Sequence, residues 1–326
     1  MKRLGSKAAV ALWLERYALL LLMLGAALFF SVYGPTSGVF PTAANVRTIL
    51  ANQSVLAIVA IAALVPLVCR EFDLSVGAVL GLSSIATATA FSDWGMGIVL
   101  AALVGIGVGA TVGLVNGVLV TRFGIDSLIA TLGSGTIVTA LVIGITGGKS
   151  IIKGIPAEMM AFGSGQTLGV PRPVLALVLV AGAVYYVLAH TPLGRYLYAI
   201  GSNPSAARLV GMDVAKLVLL SFVASGALAG AAGVLQITRI GSGNPQVGPT
   251  FTLPALAAAF LSAAAIRPGR FNVMGALVAV FFLATLTSGL NLAGVDAWIN
   301  DAVNGAALLI GVGLATFLGR QRAVTA

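Results

Sequence analysis

Long apolar stretches recur along the chain and are separated by short polar breaks. A membrane-crossing helix needs about 20 mostly apolar residues, so the pattern predicts an all-α polytopic membrane protein with about ten transmembrane helices. The segments at 74–92 and 252–266 are the weakest, because they are short or rich in Ser, Thr and Gly. The ten predicted segments lie near 17–33, 50–69, 74–92, 96–121, 126–146, 173–190, 214–236, 252–266, 273–291 and 302–319.

The composition supports membrane insertion. Hydrophobic residues make up 59% of the 326 residues and charged residues only 8%, whereas a soluble domain carries about 25% charged residues. The 41 glycines fit a bundle in which small residues allow helices to approach closely. We therefore interpret residues 1–326 as a single transmembrane domain in a multi-pass protein.

The basic residues indicate the orientation. The net charge is +9, but the basic residues stand in ones and twos between apolar spans, which does not predict a nucleic-acid-binding face. With ten crossings and a cytoplasmic N-terminus, five of the 18 Lys and Arg residues lie outside and the remaining thirteen inside. This is the bias expected for cytoplasmic loops and predicts that both termini are cytoplasmic. The outside set is Arg47, Lys149, Lys153, Arg172 and Arg239.

The N-terminus resembles a signal peptide only superficially. Lys2, Arg3 and Lys7 precede the apolar run 17–33, but no small-x-small cleavage site follows it. The run is also longer than a typical signal-peptide core. We interpret it as a retained first transmembrane helix.

A ridge of glycines predicts close helix packing. Gly105, Gly109, Gly113 and Gly117 recur every four residues and therefore share one face of a helix. Asn116 lies beside this ridge in an apolar segment, where an unpaired amide would cost several kcal/mol. Two interpretations stay open for it: a hydrogen bond to a neighbouring helix, or a group that lines a pathway.

The stretch "CREFDLSVGAVLGLSS" (69–84) places Arg70, Glu71 and Asp73 between two apolar runs. Asp73 is a good N-cap for a helix that begins directly after it. Charges at a broken membrane helix are candidates for a functional role. The alternative is a surface turn in which Arg70 pairs with an acidic neighbour.

Catalytic and nucleotide-binding patterns are missing from the sequence. "TGGKS" (146–150) resembles the end of a phosphate-binding loop, but Ile143 stands where the motif needs its first glycine. One His and one Cys, Cys69, leave no Ser-His-Asp set, metal site or intramolecular disulfide. The pattern predicts neither an enzyme nor a metal protein. Acidic residues in the apolar segments are few, which weakens the hypothesis of a proton-coupled secondary transporter.

The longest outside interruption is residues 147–172. A short surface helix beginning at Pro156 is expected near 156–162. The segment either receives a partner outside the membrane or is a plain connecting loop.

Residues 202–211 are predicted to form a short cytoplasmic helix. Asn203 suits the N-cap, Pro204 the first helical position, and Gly211 the end. Asp213 then caps the next membrane helix. A helix this short is not stable alone. It must therefore be held between membrane helices or docked on a partner. We expect it to expose Arg208 and the small residues Ser205, Ala206 and Ala207.

Several motifs resemble those of one family. "AIGSNPSAARLVGMDVAK" (199–216) and "SGALAGAAGVL" (225–235) are similar to permease subunits of bacterial ABC importers for ribose, xylose, arabinose, galactose and the autoinducer-2 sugar signal. "FDLSVGAVLGL" (72–82) and "TSGLNLAGV" (287–295) resemble two further family motifs. The resemblance covers most of 50–318 in matching order.

The resemblance implies a ten-helix inner-membrane permease that works as a dimer, with a second copy or a paralogue. It also implies a cytoplasmic ATPase partner, which would carry the ATP and Mg²⁺, and a periplasmic sugar-binding protein; this chain would need no cofactor. The short helix, about 203–211, would be the coupling helix that docks on the ATPase. The residues that match the coupling motif are Asn203, Pro204, Ala207, Arg208, Gly211 and Lys216.

A neutral sugar needs hydrogen-bonding groups along its pathway. The candidate pathway residues are Asn52, Gln53, Asp73, Ser75, Asn116, Gln236 and Asn291.

The chain departs from the family pattern at Glu71-Phe72 and between Ser262 and Arg270, where glycines are more usual. We expect the loop between Ser262 and Arg270 to be stiffer and more basic. The alternative function is a stand-alone secondary transporter of a small polar solute.

Overall fold

A computed structural model describes residues 6–296 and 298–325, with the side chains of 16–296 and 298–314. Lys2 and Arg3, which belong to the predicted N-terminal basic cluster, lie outside the described residues. The helices are α1 Ser6–Val32, α2 Gly34–Ser37, α3 Ala43–Val68, α4 Val76–Ser92, α5 Ile98–Thr121, α6 Ser127–Thr146, α7 Ala157–Ser164, α8 Arg172–His190, α9 Pro192–Ser202, α10 Pro204–Leu209, α11 Val214–Ile240, α12 Val247–Leu261, α13 Val273–Leu292 and α14 Trp298–Thr325.

Each of the ten predicted segments coincides with most or all of one long helix. Among the described residues, seven helices are long and apolar enough to span a membrane: α3, α5, α6, α8, α11, α13, and α12 together with the short 3-10 helix Ser262–Ala264 that follows it. The apolar parts of α1, α4 and α14 are shorter, at Arg16–Val32, Val76–Ser92 and Trp298–Leu314. The prediction of an all-α polytopic membrane protein is thereby confirmed.

A β-hairpin was not predicted. Two-residue strands, β1 Gln166–Thr167 and β2 Val170–Pro171, pair antiparallel within the 147–172 loop. The expected surface helix is present as α7, which begins after Pro156. Its Met159 and Gly163 are buried, so α7 is packed onto the protein rather than free.

The chain divides into two compact units, Met1–Gln53 with Leu256–Ala326, and Ser54–Ala255. In the first unit, Phe30 of α1 packs on Gly289 of α13. The loop between Ser262 and Arg270, where the chain departs from the family pattern, is held by Asn272. The Asn272 Nδ2 donates to the carbonyls of Ser262 (2.8 Å) and Ala265 (3.0 Å). The single-domain interpretation of 1–326 stays a prediction.

The second unit is built around α4, α5 and α11. The predicted glycine ridge of α5 lies against α11, where Gly109 and Gly113 contact the backbone of Gly226 and Phe222. Gly105 faces α4 at Thr87. Bare backbones thus meet without side chains between them, which allows the close approach that drives helix association in lipid. Among the described residues, the largest fully buried side chains, including Phe222, all belong to this unit.

Candidate functional site

The polar stretch between α8 and α11 folds into two short helices, α9 and α10, joined at Asn203. The Asn203 Oδ1 accepts a hydrogen bond from the Ala206 N–H (3.0 Å), and Pro204 occupies the first turn. The predicted N-cap and first position are therefore confirmed. The helix ends at Leu209, two residues earlier than predicted.

The end of α10 is a tight reversal into α11. The Gly211 N–H donates to the Arg208 carbonyl (3.0 Å) and the Met212 N–H to the Ala207 carbonyl (3.1 Å). Gly211 has φ +85, a conformation that favours glycine. The Asp213 Oδ1 accepts from the Lys216 N–H (3.0 Å), which confirms Asp213 as the cap of α11.

The exposed surface of α10 differs from the expectation in one residue. Ser205, Ala206 and Arg208 are exposed, but Ala207 is buried. The expectation that Ala207 is exposed was wrong, because it lies on the inner face of this single short turn of helix.

Two apolar side chains at the end of α10 were not anticipated as surface residues. Leu209 is 90% exposed and Val210 is 73% exposed. In the sequence they are two large apolar residues at the end of a polar helix, a pattern that is compatible with burial as well as with exposure. Lys216 is also exposed, one turn into α11.

Helix α9 lies on the turn that joins α3 to α4. Its Gly201 touches the Val68 carbonyl so closely that a β-carbon would not fit. The Cys69 thiol donates to the Leu197 carbonyl (3.7 Å) and is buried, consistent with a packing role. The polar stretch is therefore in direct contact with residues 68–69, where α3 ends.

The turn itself, residues 69–75, is held by the start of α6. The Phe72 N–H donates to the Ser127 hydroxyl (3.0 Å), and the Leu74 N–H donates to the Thr131 hydroxyl (3.0 Å). These side chains satisfy backbone groups that no regular helix pairs. Sequence reasoning missed both hydroxyls, since nothing local in the sequence links α6 to a turn more than 50 residues earlier.

Asp73 is the centre of a buried hydrogen-bond cluster, which we name the Asp73 cluster: Asp73, Ser75, Asn116 and Ser225. The Asp73 Oδ1 accepts from the Ser75 hydroxyl (2.6 Å) and N–H (3.0 Å), and its Oδ2 accepts from the Ser225 hydroxyl (2.7 Å). The Asn116 Nδ2 donates to the Ser75 hydroxyl (2.9 Å). All four side chains are buried.

The cluster corrects one local prediction. Helix α4 begins at Val76, with Ser75 at the N-cap position, so Asp73 does not cap a helix starting at residue 74. Asp73 instead accepts from the backbone two residues ahead, as in an Asx turn. Of the two interpretations for Asn116, the hydrogen bond to a neighbouring helix is present. Ser225 was missed because only tertiary packing brings α11 to this turn.

The Asp73 cluster joins three helices: the carboxylate links the start of α4 to α11, and the Ser75 hydroxyl links α4 to α5. A buried carboxylate is tolerated when its oxygens accept hydrogen bonds, and here the donors come from the start of α4 and from α11, while Asn116 adds α5. Removing one partner leaves buried groups unsatisfied, which is costly. The arrangement positions helices rather than reacting atoms.

The other candidate pathway residues lie on three different helices. Asn52 and Gln53 lie on α3 and Asn291 near the end of α13, all in the first unit, whereas Gln236 is buried on α11. Asn291 is exposed and accepts a hydrogen bond from the Asn300 amide (2.8 Å). The pathway role of all seven candidates stays a prediction.

Comparison with known proteins places these features in a family. Residues 45–312 match the family model described as branched-chain amino acid transport system / permease component. No solved structure matches the chain.

Several individual proteins are similar in sequence to this chain over most of its length. The ribose import permease protein RbsC of Escherichia coli K12 is 32% identical over 303 residues, 92% of this chain and 93% of the relative. The D-allose transport system permease protein AlsC of the same strain is 29% identical over 306 residues, 93% and 92% of the two chains. The autoinducer 2 import system permease protein LsrC of Enterobacter sp. 638 is 33% identical over 277 residues, 84% and 78%. The chain therefore belongs to the family of inner-membrane permease subunits of bacterial ABC sugar importers, which are transport subunits rather than enzymes.

Proposed function

We propose that the chain is the membrane-spanning subunit of an ATP-driven importer that carries a sugar across the bacterial inner membrane. The observation that carries this proposal is the similarity to ribose, allose and autoinducer 2 permeases over most of the chain. The description of the family model names branched-chain amino acids as the transported substrate, but the named relatives favour a polyhydroxylated substrate. A pentose, a hexose or a related sugar is the substrate class.

The proposed topology has ten crossings with both termini in the cytoplasm. In the part of the chain that the structure describes, seven helices have the length and hydropathy needed to span a membrane, and three shorter apolar helices would bring the number to ten. The bias of basic residues supports this orientation, with thirteen of 18 on the cytoplasmic side. The α9–α10 stretch and the 69–75 turn then lie on the cytoplasmic side, and the 147–172 loop lies in the periplasm.

In this arrangement, α10 is the coupling helix for a cytoplasmic ATPase. It presents Arg208, Leu209 and Val210, a combination of one cation and two apolar side chains that suits a groove on a protein partner. Asn203, Pro204 and Gly211 shape the helix, Ala207 fixes it to the body of the protein, and Lys216 lies beside it on α11. ATP and Mg²⁺ bind to the partner ATPase, and this chain needs no cofactor.

A series of contacts between α10 and the apolar helices α4 and α11 supports this coupling role. Helix α9, directly before α10, touches the 69–75 turn through Gly201, and α11 follows directly after α10. The turn and α11 are linked by the Asp73–Ser225 hydrogen bond. ATP-driven closure of the ATPase would therefore move α9, the turn, α4 and α11 together as a rigid group.

The pathway is proposed to be lined by amide and hydroxyl groups together with the Asp73 carboxylate, since a neutral sugar requires hydrogen-bonding groups. The Asn116 Oδ1 is a buried acceptor without a hydrogen-bond partner among the described residues, so it can still accept one. The proposed lining comprises Asn52, Gln53, Asp73, Ser75, Asn116, Gln236 and Asn291.

The remaining partners are a periplasmic sugar-binding protein and a second permease, either another copy or a paralogue. A stand-alone secondary transporter is disfavoured because the named relatives are import permeases of multi-subunit systems. Uptake by the purified chain alone, without ATP, would support that alternative instead.

Reversal of the charge at Arg208 tests the coupling assignment. We expect Arg208→Glu to lower sugar-stimulated ATP hydrolysis of the assembled complex at least about tenfold, because it places a like or unmatched charge at the ATPase groove. Membrane insertion should be unchanged, since Arg208 is exposed. Arg122→Glu is the matched control, as it reverses an exposed charge at the end of α5 on the same proposed face. Normal stimulation in Arg208→Glu would refute the role of α10.

A further inference from the structure

The β1–β2 hairpin ends in an unusual turn. Its two-residue loop, Leu168–Gly169, joins paired strands in which Thr167 faces Val170. Both loop residues have positive φ, +52 for Leu168 and +79 for Gly169. Hairpin loops of this kind strongly prefer Asn-Gly, Asp-Gly or Gly-Gly. Glycine at 169 fits that preference and leucine at 168 does not.

Leu168 is unfavourable in two independent respects. A side chain with a β-carbon is strained at positive φ, and leucine has no short polar group to offset the strain. In addition, Leu168 is 100% exposed, so its apolar surface gains nothing from the fold. Asn at this position would suit both the turn and water, and strain that the fold does not require points to function.

The hairpin is firmly anchored, so the tip is presented in a fixed position. Arg172 bonds three times to the base of the loop: its N–H to the Gly165 carbonyl (3.0 Å), its Nη1 to the Ala161 carbonyl (3.2 Å) and its Nε to the Thr167 hydroxyl (3.4 Å). Below it, the Arg239 Nη1 donates to the Gly163 carbonyl (2.7 Å), which ties α7 to α11.

The surroundings of the tip favour a protein as its partner over lipid acyl chains. Gln166 and Thr167 beside it are exposed and polar, and Lys149, Lys153 and Glu158 of the same loop are exposed and charged. An apolar side chain flanked by polar ones suits an anchor in a protein interface. The 147–172 loop carries three basic residues and one acidic residue, and this net positive charge suits a partner with an acidic surface.

We infer that Leu168 is the anchor by which the periplasmic sugar-binding protein docks on this subunit. The inference rests on the proposed function, which supplies the partner and the periplasmic side for this loop. In this proposal the anchored hairpin inserts Leu168 into an apolar depression of the binding protein, and the net positive charge of the loop suits an acidic surface on that partner.

The test is Leu168→Asn in the reconstituted complex with its ATPase. Asn suits the turn better than Leu, so protein yield and thermal midpoint should equal or exceed those of the original chain. The concentration of binding protein, loaded with D-ribose, D-allose or autoinducer 2, that gives half-maximal ATPase stimulation should rise about tenfold. Basal ATP hydrolysis should stay the same.

Two controls separate docking from other roles. Leu168→Met keeps an apolar side chain in the same backbone conformation and should respond like the original chain. Ile152→Asn removes another exposed apolar side chain of the same loop and should have little effect. An unchanged half-maximal concentration in Leu168→Asn would overturn the inference, as would a fall in yield or basal activity alone, which would indicate a lipid or structural contact. If the original complex shows no stimulation by any loaded binding protein, the proposed function itself fails.

Discussion

Replacing Gly113 with valine is expected to prevent α5 from packing on α11. A β-carbon at this position would overlap the Phe222 carbonyl and lie 3.2 Å from the Gly226 α-carbon. These are backbone atoms of a buried helix, so they cannot move aside as a flexible side chain would. We expect a loss of about 3 kcal/mol, the upper end of the cost of overpacking. The measurement is the thermal midpoint and the yield of monodisperse protein after extraction in detergent.

Gly107→Val is the matched control for that substitution. Gly107 lies in the same helix, but among the described residues no atom outside the adjacent turns of α5 lies within 4 Å of the position of an added β-carbon. The same chemical change should therefore leave the thermal midpoint within the error of the measurement. Equal midpoints for Gly113→Val and Gly107→Val would contradict the close α5–α11 contact.

Replacing Asp73 with alanine is expected to cut sugar uptake by about tenfold or more while the complex still assembles. The change removes the acceptor of Ser225 and of both donors of Ser75. Each buried group left unsatisfied costs about 1–3 kcal/mol. The hydrogen-bonded link between the start of α4 and the middle of α11 is thereby lost. Uptake and ATP hydrolysis are measured on the same proteoliposomes, so that transport per ATP can be compared.

Two further variants distinguish coupling from general damage. Asp73→Asn retains one acceptor oxygen and should fall between the original chain and Asp73→Ala in uptake per ATP. Asp93→Ala removes an exposed carboxylate at the other end of α4, bonded to the Ser92 hydroxyl (2.7 Å), and should change little. Unchanged transport per ATP in Asp73→Ala would show that the Asp73 cluster has no part in coupling.

Local rules were sufficient for much of the fold. The ten long helices follow from apolar length alone, and the caps at Asn203 and Asp213 follow from short polar side chains that bond two or three residues ahead. The glycine ridge of α5 was visible because its spacing is intrinsic to the helix. In each case the sequence pattern that signals the feature lies within one segment of the chain.

The features that were missed depend on contacts between distant segments. Ser127, Thr131 and Ser225 hold the 69–75 turn from α6 and α11, and no local pattern distinguishes them from other hydroxyl residues. The burial of Ala207 depends on where α10 rests. The hairpin at 166–171 was overlooked because two-residue strands leave no alternating pattern and Leu168 does not have the residue type its turn prefers.

The central claim is that this subunit imports a sugar only together with an ATPase and a binding protein. The most direct test is uptake of radiolabelled D-ribose, D-allose or autoinducer 2 into proteoliposomes that contain the complex. We predict accumulation that requires both ATP on the cytoplasmic face and loaded binding protein on the other, and none with the permease alone. Accumulation by the permease alone, without ATP, would contradict the account.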